Sequence, residues 1–565
     1  MRNKNLYLTL TLASTLAMSS CKKLGELSAD NFTVIPSPME TVSGKVPVTI
    51  NGRFPEKYMK KKAVVTVTPV VKYEGGQAVG QGETFQGEKV EGNAQTINYK
   101  VGGNYTMKNT FDYVDDMAVS ELWLTFEAKV GKRTVKVPEV KVADGVIATS
   151  ELLGRTLASA NGSIAPDAYQ RIIKQKKDAQ IKFVIQQAKI RNSELKTTSV
   201  QEFIQTLRDI KADQKGYALE NIEVSAYASP DGGVKLNTDL AADREKNTNK
   251  YLNEQLEKED IATHVDSKYT AQDWEGFQEL VQASNIQDKD VILRVLSMYK
   301  DPEERETQIR NLSAAFRELA DEVLPELRRS RLTINYNIVG RSDEEIMAQY
   351  KSDASKLSVE ELLYAATLTD NDAEKEAIYK TAARQYPNDF RATNNLATLA
   401  YKKGDKAAAQ QYLSQVASSN APEVAVNNAL VALANGDVAK AETFLGKGNG
   451  AATYNEALGN LYIAKGNYAQ AVSAFGDTKT NSAALAKILN KDYNGAQSTL
   501  GAIAQPDAMT SYLKAIVAAR TNQSSTALAN LREAIAKDSS LKAHAAKDLE
   551  FRALFEDAAF QSLVK

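Results

Sequence analysis

The sequence predicts a multidomain chain: an antiparallel β-sandwich, then a mixed α/β domain, then an all-α array of repeated helical hairpins. Three observations carry this. Between Phe32 and Val142 short β-branched and aromatic runs recur between glycine pairs; from residue 146 to 342 strand-like runs alternate with runs of helical spacing; beyond residue 357 a Gly-Asp or Gly-Asn pair returns at intervals of about 30–34 residues. A chain of 565 residues is also too long for one hydrophobic core.

Composition removes several function classes. The chain holds 70 Lys plus Arg against 71 Asp plus Glu, a net charge of -1, so no field draws in nucleic acid, and none is expected as a partner. Two histidines, His264 and His544, and a single cysteine exclude a His/Cys metal centre, a Cys/His nucleophile pair and an intramolecular disulfide. No Ser/His/Asp arrangement stands out either, so the chain is expected to be no enzyme and to need no cofactor.

The first 20 residues read as a signal peptide: Arg2 and Lys4 are basic, Leu6 to Ala17 form a short apolar run, and Met18-Ser19-Ser20 lead to Cys21. Small residues before that lone cysteine resemble the lipobox of bacterial lipoproteins. The resemblance implies acylation of Cys21, with residues 21–31 as a lipidated tether to the membrane.

From residue 32 to 145 the runs Val46–Ile50, Ala63–Thr68, Leu122–Phe126 and Thr134–Val137, with Gly75-Gly76 and Gly102-Gly103 as turns, predict a sandwich of immunoglobulin-like type. It is expected to be a spacer or docking module. A helical or irregular crossing follows from Val146 to Asp167.

The domain placed at 146–342 has expected strands at Ala179–Ile185, Ile222–Ala226, Thr263–Val265 and Leu332–Ile338. Helices are expected at Val200–Ile210, Thr238–Leu252, Trp274–Tyr299 and Glu303–Val323. Here Asn237-x-x-Leu240-Ala-x-x-Arg244, after Val224-x-x-Tyr227-Ala-Ser-Pro-Asp-Gly232, resembles the signature of OmpA-like domains. Asp273-Trp-Glu-Gly-Phe277 and Leu324-Pro-Glu-Leu-Arg-Arg329 resemble a variant found in outer-membrane proteins of Bacteroidota. The resemblance implies a periplasmic module that associates with peptidoglycan, an acid and an arginine gripping the diaminopimelate of the peptide stem.

Carried over residue by residue, Arg244 receives the ligand carboxylate. The family's acid falls on Ser229 here, and Asp231, two positions on, is the nearest substitute. Gly232 lets the turn backbone take positive φ beside the ligand, and Asn237 braces the loop. The competing reading of Arg244 is a surface ion pair with Asp243 or Glu245. Arg328, Arg329 and Arg331 form a short basic run, either a contact for an anionic stem or a solvated face.

Residues 343–356 read as a linker and 357–565 as the repeats. Asn395-Leu-Ala397 with Gly404-Asp405, Gly436-Asp437 with Ala441, and Tyr454–Gly459 with Gly466-Asn467 resemble tetratricopeptide repeats (TPR), with weaker copies near Lys491 and Asn522 and a cap helix over 548–565. The resemblance implies a groove that receives an outer-membrane or periplasmic protein partner. Two functions stay open. One is a periplasm-facing outer-membrane lipoprotein that binds peptidoglycan non-covalently and recruits partners through its repeats. The other is an accessory subunit of an assembly, secretion or fimbrial machine that does not bind the wall.

Overall fold

The computed structural model describes residues 24–286 and 288–565; the expected signal peptide and Cys21 lie outside the described residues. The chain forms two compact units, one built from the residues up to Pro166 together with Thr369–Lys565, the other from Asp167–Leu368. The crossing at 146–166 therefore groups with the sandwich and the repeats, while the expected linker at 343–356 groups with the α/β domain.

In the first unit the strand Lys45–Phe54 pairs antiparallel with Phe32–Ile35 and Gly103–Asp112, and Ala63–Tyr73 pairs antiparallel with Ser120–Val130. Strand geometry sends alternate side chains to one face, so Val46, Val48, Ile50 and Phe54 meet Ala63, Val65, Val67, Leu122 and Leu124 in one core. The second sheet holds seven strands, more than an immunoglobulin-like sandwich has on one side. Its two central strands are 11 residues long, and each carries two short strands end to end along one edge. Arg133–Lys136 and Val140–Asp144 lie on Ser120–Val130; Gly76–Val79 and Glu83–Gly87 lie on Ala63–Tyr73. Nor is the sandwich wholly antiparallel, since Glu83–Gly87 pairs parallel with Gln95–Ile97.

The repeats are five helical hairpins after the opening helix Asp372–Gln385. Their first helices are Phe390–Lys402, Pro422–Ala434, Tyr454–Ala464, Asn481–Leu489 and Ala508–Arg520. Each hairpin turns on one residue at positive φ: Gly404 (80°), Gly436 (78°), Gly466 (74°), Lys491 (64°) and Asn522 (57°). The following Asp405, Asp437 or Asp492 caps the second helix by accepting from the backbone three residues on, so a Gly-Asp pair is a turn and a cap in two letters. The array ends in a 3-10 turn, Leu549–Leu554, and a short helix, Ala558–Val564, where one cap helix was expected.

The second unit is a four-stranded sheet in the order Ile172–Lys182, Arg329–Val339, Tyr217–Tyr227, Val265–Thr270, with only the last pair parallel. Thr198–Ala212 and Val234–Lys258 cover one face through Phe203, Leu207, Leu252 and Leu256. The two long helices expected between residues 274 and 323 are broken. The first is broken at Ser284, which is extended; the second opens at Pro302 after the Asp301 cap and is broken at Leu312, which leaves the helical conformation. The pieces Trp274–Ala283, Lys289–Met298 and Pro302–Asn311 close over a satellite core of Phe277, Val281, Ile292, Leu296 and Leu319. The expected linker is a helix, Asp343–Asp353, opened by a capping box of Ser342 and Glu345.

Candidate functional site

The loop after the strand Tyr217–Tyr227 carries the residues implied by the OmpA-like resemblance. Asn237, in the first turn of Val234–Lys258, donates through Nδ2 to the carbonyls of Ser229 (3.0 Å) and Gly232 (2.7 Å). It thereby ties the loop to the helix. Gly232 has no positive φ; its role is proximity, because a Cβ there would stand 3.0 Å from Asn237 Oδ1.

Arg244 is turned into the fold. It is fully buried, its Nε donating to Gln187 O (3.1 Å), its Nη1 to Tyr227 O (2.8 Å) and its Nη2 to Val184 O (3.4 Å), with the guanidinium 5.1 Å from the Phe183 ring centre. Burial first, then the like charge of Arg328, pulls it down to about 10 against the opposing pull of Asp231, so it remains a cation at neutral pH. The surface ion pair with Asp243 or Glu245 fails for the same reason. Arg244 joins the end of one strand to the segment after another, and main-chain oxygens take the place of a carboxylate.

Asp231 is likewise engaged. Arg328 Nη2 lies 3.0 Å from its carboxylate, with both side chains less than one-fifth exposed; Ser229 Oγ donates to the same carboxylate, and Arg310 donates to the Asp231 carbonyl. Both arginines come from the helical segment between residues 271 and 328. That segment packs Trp274, Phe277, Ile309 and Phe316 against Pro230 and Asp231, leaving only a small cleft of about 10 Å³. Of the basic run, Arg328 holds the loop and Arg329 forms a buried ion pair with Asp273 (3.2 Å). Four residues grouped by sequence thus stand together, but as a closed loop.

The second site is the face of the repeats lined by their first helices. Residues 149–166 run along it, from the last repeat toward the first. Leu152, Leu153, Leu157 and Ala160 are buried in the repeat core, and Tyr401 Oη donates to Leu157 O at 2.8 Å. Beyond Ala160 the chain is extended, and every second residue is held by its backbone. Asn161 N and Nδ2 donate to the two Glu456 oxygens, both at 3.0 Å. Ser163 N donates to Asn427 Oδ1 (2.7 Å), and Ser163 O accepts from Asn427 Nδ2 (2.8 Å), Asn394 Nδ2 (2.9 Å) and Thr398 Oγ1 (3.2 Å). Ala165 N donates to Asn395 Oδ1 (2.7 Å) and its carbonyl accepts from Asn395 Nδ2 (3.0 Å).

A carboxamide offers one acceptor and two donors in a plane, which matches the N–H and C=O that one face of an extended residue presents. Burial raises the Glu456 carboxyl, and its two bonds to Asn161 oppose the shift. Sequence reasoning missed this row. Its signal was asparagine inside helices, where it is unfavourable, at one offset in successive repeats: Asn395 and Asn427 each stand five residues after the start of their helix.

Elsewhere in this unit Tyr113, Asp115, Asp116, Glu151, Arg155, His544 and Asp548 line a cavity of about 270 Å³. Burial and the neighbouring Glu550 push Asp548 up to about 6, while burial and Arg155 pull His544 down. Among the described residues no His/Cys/Asp/Glu group could hold a metal ion, and no helix is long and apolar enough to cross a membrane.

No family model and no curated protein matches the chain. Among solved structures it is similar to a tetratricopeptide repeat protein from Parabacteroides merdae ATCC 43184, at 14% identity over 39% of this chain and 89% of that one, with a TM-score of 0.28. It is also similar to the APC/C hetero-tetramer Cut9-Hcn1, at 13% identity over 59% of this chain and 76% of that one, with a TM-score of 0.29. The chain is a multidomain protein with an N-terminal sheet region and a C-terminal helical repeat region.

Proposed function

We propose that the chain is a non-enzymatic protein-interaction scaffold, anchored through Cys21 to the outer membrane and facing the periplasm, whose OmpA-like domain makes protein contacts instead of gripping the peptidoglycan stem. Of the two functions open from the sequence this is the accessory-subunit one. The observation that carries it is the internal use of Arg244. A guanidinium with no exposed surface, three of its five N–H groups already given to main-chain oxygens, can receive a ligand carboxylate only if the chain packed over it opens, which is costly in a buried place. The salt link from Arg328 to Asp231 supports the same reading, because a cation of the chain stands where a ligand ammonium would pair.

The lipobox resemblance and the signal peptide support the anchor, and the TPR-like hairpins support protein partners. Sedimentation of the chain with purified peptidoglycan is the test, with [3H]palmitate labelling of wild type and Cys21→Ala for the anchor. The chain stays in the supernatant, and the label is lost in the variant. Retention in wild type that Arg244→Ala abolishes would restore the wall-binding reading.

A further inference from the structure

The strap at 149–166 has two unlike halves. Thr149–Ala160 is fixed by four apolar side chains in the repeat core. Asn161–Pro166 buries no large apolar side chain: Ser163 and Ala165 point in, while Asn161, Ile164 and Pro166 are exposed. What holds this half is main-chain recognition by Glu456, Asn427, Asn394 and Asn395. Such contacts select a shape, extended with small inward side chains; apart from the Asn161 Nδ2 bond to Glu456 they are indifferent to the residues facing out.

The fit of the resident is also imperfect. Ser163 Oγ is buried with no hydrogen-bond partner, a cost the segment carries in the groove. Between the clamped Asn161 and Ser163 the backbone is close to the wall: a Cβ on Gly162 would stand 2.7 Å from Thr398 Cγ2 and 3.1 Å from Asn427 Oδ1.

We propose that this row is a docking site for an extended segment of a partner protein, and that Asn161–Ala165 is a resident occupant which the partner's segment replaces while Thr149–Ala160 stays in place. The incoming segment carries glycine where Gly162 now lies, small residues where Ser163 and Ala165 lie, and any residue where Ile164 faces out. This rests on the scaffold function proposed above and gives its partner a chemistry. A segment held by a few hydrogen bonds at the edge of a core opens locally at less cost than the core unfolds. The occupied fraction then sets how weakly a competitor binds to the resting chain.

The experiment uses the full chain and a fluorescent peptide with the sequence of residues 161–168. In wild type, the amides of Ser163 and Ala165 exchange with solvent about 100-fold or more faster than the helix Ala508–Arg520, through local opening. Gly162→Val, which drives the resident out, binds the peptide about tenfold or more tighter than wild type, and Asn395→Ala with Asn427→Ala in that background removes binding. Ala165→Asp is a second ejecting variant should Gly162→Val fold poorly. A peptide carrying Lys in place of the outward Ile164 binds equally well, and one carrying Val in place of Gly162 does not bind. Exchange of Ser163 and Ala165 only with the core, or peptide binding indifferent to the asparagines, overturns the proposal. So does an absence of peptide binding to both ejecting variants. None of these results changes the peptidoglycan sedimentation, so the two proposals fail separately.

Discussion

Asn427 holds Ser163 by both of its backbone groups, accepting from the nitrogen at 2.7 Å and donating to the oxygen at 2.8 Å, across 264 residues of chain. The same carboxamide also donates to Asn394 Oδ1 and Thr398 Oγ1. Asn427→Ala leaves the Ser163 amide buried without an acceptor, so it lowers the urea midpoint by the equivalent of about 1–3 kcal/mol. Ser163→Ala removes only an unpartnered hydroxyl and leaves the midpoint unchanged or slightly raised. Denaturation of the two variants side by side separates backbone clamping from side-chain recognition.

Lys491 occupies the left-handed turn position that glycine fills in three other hairpins. A Cβ there costs about 1 kcal/mol, and glycine avoids it. Lys491→Gly therefore raises the thermal midpoint of the first unit, and Gly436→Ala lowers it by a similar amount. Scanning calorimetry of both checks the sign.

Arg244→Met takes from the buried carbonyls of Gln187 and Tyr227 their side-chain donor inside the second unit, while Val184 O keeps the Gln187 amide. The expected loss is about 3 kcal/mol or more. Arg244→Lys is also destabilising, because an ammonium cannot reproduce a planar fork reaching three oxygens. The transition of the second unit moves down in both variants while that of the first stays in place. A ligand-gripping surface arginine would give the reverse: loss of binding with stability intact.

Asp548 and His544, 3.9 Å apart, drive opposite pH dependences in one window. Asp548 is raised from 3.8 to about 6. Its contribution to stability is fully present below the unfolded value and is lost as pH rises through about 6. His544 is lowered from 6.5; its contribution is present above the unfolded value and is lost as pH falls through the folded one. Asp548→Asn unmasks the histidine, so between pH 7 and 5 the variant loses more stability on acidification than wild type. His544→Gln unmasks the aspartate and shifts the slope the other way. Thermal midpoints of the three proteins across that range test both signs.

Local patterns in the sequence were strong where one face is buried. Val46–Ile50, Ala63–Thr68 and Leu122–Phe126 each lie inside an observed strand, because alternation follows from one buried face. Val200–Ile210 lies inside the helix Thr198–Ala212. The expected strand Ala179–Ile185 falls across the end of Ile172–Lys182, whose first half is largely exposed and gives no apolar signal. Non-local relations were illegible. The Asn237–Arg244 motif located the loop and its brace, but nothing in it announced that Val184 and Gln187 supply oxygens to Arg244, or that Arg328 reaches Asp231. The segment 149–166 gave only a few leucines and then Asn-Gly-Ser-Ile-Ala-Pro, since a chain recognised through its backbone needs no distinctive side chains.

The unity of the sandwich, the segment 149–166 and the repeats is tested most directly by cutting the full chain at a protease site placed in the irregular stretch 167–170 and passing the product through a size-exclusion column without denaturant. The fragment ending near Pro166 should elute together with the remainder and separate from it only in urea, because four buried apolar side chains and the asparagine row still join them. Elution as two separate fragments in plain buffer would contradict the shared core, and with it the assignment of the repeat groove to the chain's own segment.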